Sequence, residues 1–73
     1  MFNYERFGQR IAELRKERNW RIQDLSCQSG VSITIISQLE NNQNKNITMR
    51  TIYKLAKAFD ISVQDLIIEC EEG

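Results

Sequence analysis

Histidine and proline are absent from these 73 residues, glycine occurs three times and cysteine twice. Each scarcity removes a class of protein. Without histidine the commonest general base at neutral pH is missing, together with the usual companion of cysteine in zinc sites. Cys27 and Cys70 alone form neither a ligand cluster nor a disulfide framework. Three glycines make no phosphate-cradling loop, and no serine or cysteine sits in a nucleophile motif, so the sequence reads as a non-enzyme with no metal and no cofactor. The longest apolar run, Leu66-Ile67-Ile68, falls far short of the roughly 18 residues that cross a bilayer, and the segment Met1 to Glu5 lacks a signal peptide's basic and apolar blocks. The expectation is a cytoplasmic protein with no membrane contact and no small-molecule ligand.

At this length a single domain, without a second, is expected. At this size folding hides only about 60% of the surface that the unfolded chain exposes, so a partner subunit would supply burial that a monomer lacks. The net charge of zero conceals a division: residues 1–59 carry all ten basic side chains and five acidic ones, whereas 60–73 carry five acidic and no basic ones. A basic body with an acidic end points to a polyanion-facing surface, although a solvated charge run explains the same pattern.

With no proline and few glycines, apolar spacing can be read directly, and it is helical throughout. Tyr4, Phe7, Ile11 and Leu14 predict a first helix over Tyr4 to Arg18, with Asn3 as N-cap and Asn19 suited to a left-handed C-terminal turn. A second, Ile22 to Ser29, buries Ile22, Leu25 and Ser26 and stops at Gly30; its N-cap position holds Arg21, which cannot accept a hydrogen bond, so this boundary should fray. Ser32 caps a third helix through Glu40 with Ile36 and Leu39 inward, and the Asn-rich stretch Asn41 to Asn46 reads as a polar loop. Thr48 opens a fourth, ending near Asp60, whose apolar face is Met49, Ile52, Tyr53, Leu55, Ala56 and Phe59. Ser62, with Asp65 three residues on, starts a fifth that buries Val63, Leu66 and Ile67. The domain should span 1–68, leaving 69–73 as a fraying acidic tail.

The connection Ser29-Gly30-Val31-Ser32 is too short for its two helices to run antiparallel, so they must meet at a steep angle, the signature of a helix-turn-helix. Leu25, Ser26, Gly30, Val31, Ile36 and Leu39 would build the corner. Around it stand Phe7-Gly8-Gln9-Arg10-Ile11-Ala12-Glu13-Leu14-Arg15, Ile36-Ser37-Gln38-Leu39-Glu40, Leu55-Ala56-Lys57-Ala58-Phe59 and Ile61-Ser62-Val63-Gln64-Asp65-Leu66. In these segments, in this order, the chain resembles the phage repressor and Cro-like family, also called the XRE helix-turn-helix family, over roughly residues 7–67. The resemblance implies an all-α, compact five-helix repressor-like domain that reads double-stranded DNA with helix three, commonly as a homodimer.

The family's base-reading positions fall on Ile33, Thr34, Ser37 and Gln38, which the inward set of Ile36 and Leu39 independently turns outward. Gln pairs with adenine, Ser and Thr bond most base edges and Ile meets a thymine methyl; no Arg is present for guanine, so an A·T-leaning half-site is expected. For Thr34, Ser37 and Gln38 the competing explanation is an ordinary polar surface, and for Ile33 it is packing against helix two. Arg21, Ser32, Asn42, Asn44 and Lys45 flank the motif as phosphate candidates, each equally readable as a solvated loop residue. The resemblance favours Arg21 and Asn42 and makes Arg15 and Glu40 a partly buried ion pair. Departures from the family pattern are Ile22 where Gln is frequent, Arg21 where Ser or Thr is, Asn42 where Gly is and Ile47 where Pro is, with the loop about one residue longer.

Trp20 reads as a lid against helix four and Cys27 as an inert surface thiol. Val63, Ile67 and Ile68 exceed what a short helix needs for its own core and form the candidate dimer surface, against the plain alternative of one exposed Ile. The function expected is a sequence-specific transcriptional regulator at a palindrome. The rival is a protein-interaction module of the same fold without DNA binding, such as an antitoxin-type partner.

Overall fold

Local hydrogen-bonding chemistry sets where each element starts and stops. The computed structural model describes residues 2–43 and 47–70, and among them α1 (Tyr4–Glu17), α2 (Ile22–Ser29), α3 (Ile33–Glu40), α4 (Met49–Ala58) and α5 (Val63–Ile67) are followed by one 3-10 turn, Ile68–Cys70. Four N-termini are closed by side-chain oxygens that accept from the free N–H groups of the first turn: Asn3 from Arg6 at 2.9 Å, Ser32 from Ile35 at 3.2 Å, Thr48 from Thr51 at 3.2 Å and Ser62 from Asp65 at 3.0 Å. At α2 the contact runs the other way. Arg21 offers no acceptor, but the Asp24 carboxylate reaches back to the Arg21 N–H at 2.8 Å, so the end expected to fray is tied. Left-handed residues then turn the chain after four helices: Asn19 (φ 57), Gly30 (φ 78), Asn42 (φ 56) and Asp60 (φ 59).

These turns bring Phe7, Ile11 and Leu14 of α1 together with Leu25, Val31, Ile36, Leu39, Ile52, Leu55, Phe59 and Leu66 in one buried core. Helix α1 crosses α3 at Gly8, where an added Cβ would overlap the Leu39 carbonyl, so only glycine permits this approach. Trp20 stacks on Phe59 with ring centroids 5.9 Å apart, and Arg18 lies over both rings while donating to the Phe59 carbonyl at 2.7 Å.

Two expectations are corrected. Met49 and Tyr53 are not on the buried face of α4: they are 65% and 55% exposed, while Ile52, Leu55, Ala56 and Phe59 are buried. At 100° per residue Tyr53 lies about 110° round from the middle of that buried set, so the true stripe is narrower than the one read from sequence. The tail is also shorter than expected. Cys70 is fully buried and its carbonyl accepts from the Asn3 N–H at 2.7 Å, which carries the packed domain two residues past position 68 and joins its two ends. Residues 71–73 lie outside the described residues, as do the phosphate candidates Asn44 and Lys45. Among the described residues, no helix is long and apolar enough to cross a membrane.

Candidate nucleic-acid interface

The corner between α2 and α3 is closed from both sides of its turn. Gly30 takes a left-handed conformation and donates to the Ser26 carbonyl at 2.8 Å. Ser29 donates its hydroxyl to the Leu25 carbonyl at 2.7 Å and accepts from the Val31 N–H at 3.1 Å, so one side chain satisfies the groups left open at the helix end. Leu25, Val31, Ile36 and Leu39 are buried beneath it. Nothing in the sequence reading singled out Ser29; a serine just before a C-terminal glycine was the available signal.

With Ile36 and Leu39 pinned inward, the opposite flank of α3 faces water. Thr34 is exposed, Ile33 is 50% exposed, and Ser37 and Gln38 are partly buried. Ile35 packs against the core and leaves this flank polar apart from Ile33. The last turn of α3 is tightened by Asn42 N–H to the Leu39 carbonyl at 3.2 Å and Gln43 N–H to the Gln38 carbonyl at 2.7 Å. Arg21 is exposed at the start of α2, Ser32 at the start of α3 and Asn42 just beyond its end. The Ser32 hydroxyl oxygen already accepts from Ile35, which leaves its proton to donate. Of the apolar residues on the C-terminal helix, Val63 and Ile67 are partly buried against the core, whereas Ile68 is 68% exposed.

At the end of α3, Arg15 and Glu40 form a two-pronged pair, Nε to Oε2 at 2.8 Å and Nη2 to Oε1 at 2.9 Å, both side chains nearly out of solvent. The third prong, Nη1, donates to the Trp20 carbonyl at 2.8 Å. Hydrogen bonding to Glu40 raises the Arg15 pKa, with its charge adding to the effect and partial desolvation opposing it. One guanidinium thus fixes the end of α3 to α1 and to the loop before α2. Among the described residues, no group of three or more Cys, Asp or Glu is placed to hold a metal ion.

Two short helices joined by a tight turn and held on a third helix are a helix-turn-helix, and comparison with known proteins agrees. A helix-turn-helix domain model matches residues 8–69, and the chain belongs to that family, in its XRE, Cro-like branch. It is 32% identical over 65 residues to the HTH-type transcriptional regulator SinR of Bacillus subtilis, covering 89% of this chain and 59% of SinR. To the HTH-type transcriptional repressor RghR of the same organism it is 38% identical over 63 residues, 86% of this chain and 47% of RghR. The chain therefore spans about half the length of these curated relatives. Among solved structures it is similar to SinR, the master regulator for biofilm formation, in complex with DNA, with a TM-score of 0.77 and 32% identity over 82% of this chain and 95% of that one. It is also similar to the restriction-modification controller protein C.AhdI of Aeromonas hydrophila, with a TM-score of 0.80 and 33% identity over 86% of this chain and 94% of that one.

Proposed function

We propose that this chain is the DNA-reading domain of a sequence-specific transcriptional regulator, acting in the cytoplasm as a homodimer on a palindromic site. The observation that carries this reading is the division of α3: Ile36 and Leu39 on its inner flank are buried in the corner, while on the outer flank Ile33 and Thr34 are exposed and Ser37 and Gln38 keep part of their surface in solvent. In this reading α3 lies in the major groove, with Ile33, Thr34, Ser37 and Gln38 toward base edges. Arg21, Ser32 and Asn42, together with Asn44 and Lys45, hold phosphates and set register. Val63, Ile67 and Ile68 join two copies so that their recognition helices stand about 34 Å apart. The similarity to a solved SinR complex with DNA supports the same assignment.

A second reading, a protein-interaction module such as an antitoxin-type partner, is favoured by the half-exposed Ile33 on an Arg-free flank and by the zero net charge. Selection from random duplexes followed by salt titration separates the two. The regulator reading expects a preferred palindrome and affinity that falls steeply with salt; no enriched sequence, with flat or absent binding, favours the interaction module. On the selected site, Gln38→Ala should cost about 1 to 3 kcal/mol and relax one base position, whereas Lys45→Ala should weaken every sequence alike.

A further inference from the structure

The outer flank of α3 does not stop at Gln38. Asn41 follows Ser37 by four residues and Thr34 by seven, which at 100° per residue puts it on the same ridge. Its side chain is exposed but held. Nδ2 donates to the Ser37 carbonyl at 2.8 Å, the same oxygen that accepts the Asn41 backbone N–H at 3.0 Å, and it also approaches Ser37 Oγ at 3.4 Å. A carbonyl can only accept, so the amide has one possible orientation, and its nitrogen is engaged on the helix. What Asn41 presents outward is Oδ1, an acceptor.

We propose that Asn41 is a further specificity-determining residue, whose Oδ1 accepts a hydrogen bond from an exocyclic base amine, cytosine N4 or adenine N6, in each half-site. The inference rests on the DNA reading of α3 given above. An acceptor tip is unsuited to phosphate oxygens, which are themselves acceptors, and to guanine O6 and N7 or thymine O4. Major-groove amines are its complement. A free asparagine takes adenine through N6 and N7 together, but with Nδ2 retained by Ser37 the residue acts as a neutral counterpart of the carboxylates that accept from cytosine N4.

Random-duplex selection with the parent and with Asn41→Ala, followed by binding to the parent's selected site, tests this. Replacing adenine by purine, or cytosine by a pyrimidinone, deletes one amine at a time. One such deletion per half-site should weaken the parent about tenfold and leave Asn41→Ala unaffected, and the variant should lose its preference at that base pair alone. Gln38 also reads base amines, so the loss belongs to Asn41 only where Asn41→Ala is insensitive to it; Asn41 is exposed, and an unchanged melting temperature verifies that the variant folds. Sites selected with the same preferences by both proteins, or an equal loss on all sequences, would overturn the assignment of Asn41 alone. No enriched site for the parent would overturn it together with the DNA reading.

Discussion

Two regions of this small molecule are built to different standards. Around the α2–α3 corner, Leu25, Val31, Ile36 and Leu39 are buried, the turn is satisfied by Ser29 and Gly30, and Arg15 ties three segments with one side chain. Between α4 and α5 the molecule is looser. Tyr53 and Ile68 stand more than half exposed, and an open groove of about 420 Å³ is lined by Tyr53, Lys57, Asp60 and Val63 among others. If the proposed function holds, the difference teaches where shape must be exact: an element that presents side chains to a rigid partner has to be fixed to a fraction of an ångström, whereas a surface that another copy covers can leave its packing incomplete. On that reading, substitutions cost folding free energy in the first region and assembly in the second.

The largest effect is expected where α1 meets α3. In an exposed helix interior Gly→Ala stabilises by about 1 kcal/mol through backbone entropy, so Gly8→Ala would be favourable if packing were permissive. Here the new Cβ overlaps the Leu39 carbonyl, which is backbone and cannot rotate away, so the helices must separate. Denaturant unfolding should show Gly8→Ala destabilised by about 3 kcal/mol. A melt equal to or above the parent's would show that α1 and α3 are not in this contact. Arg15→Ala comes next. It leaves Glu40 nearly buried without its partner and frees the Trp20 carbonyl, at a cost of about 2 to 3 kcal/mol, below a fully buried pair because some solvent reaches this one. Lys16→Ala, on the exposed side of the same helix, is the control, and equal melting temperatures for the two would refute the orienting role of Arg15.

Features whose causes are local were legible in the sequence. Asn3, Ser32, Thr48 and Ser62 cap the helices they were expected to cap, and Gly30 and Asn42 take the left-handed turns that their residue types allow. In the corner, Leu25, Ile36 and Leu39 follow from helical period and Gly30 and Val31 from the short glycine-containing turn, whereas Ser26, expected inside, is only partly buried. What escaped depends on partners far along the chain. Cys70 sits beside Asn3, and Arg18 caps the end of α4 across 41 positions, pairings that no window of sequence contains. Gly8 left a trace, a glycine inside a strongly periodic helix, which signals close approach without naming the partner. The face of α4 was read too wide because period gives a direction on the helix, while neighbouring elements decide how far burial spreads from it. At the interface, residue type and outward direction were readable; that Ser37 holds the Asn41 amide was not, since it depends on side-chain rotamers.

The smallest change in folding is expected in the turn after α5, and there it carries the most information about assembly. Ile68 begins the terminal 3-10 turn and is 68% exposed, so a charged side chain at that position meets water in the monomer. Ile68→Glu should alter the unfolding free energy by less than about 0.5 kcal/mol, the usual range for surface positions. In a dimer that covers Ile68, the same substitution carries a carboxylate from each copy into an apolar contact, and desolvating them weakens association. Sedimentation should then show the variant as a monomer where the parent is a dimer, and affinity for a full palindrome should fall toward that for a half-site while the preferred bases stay the same. A dimer that persists in Ile68→Glu would remove this surface from the interface and shift attention to Tyr53 and the groove beside it.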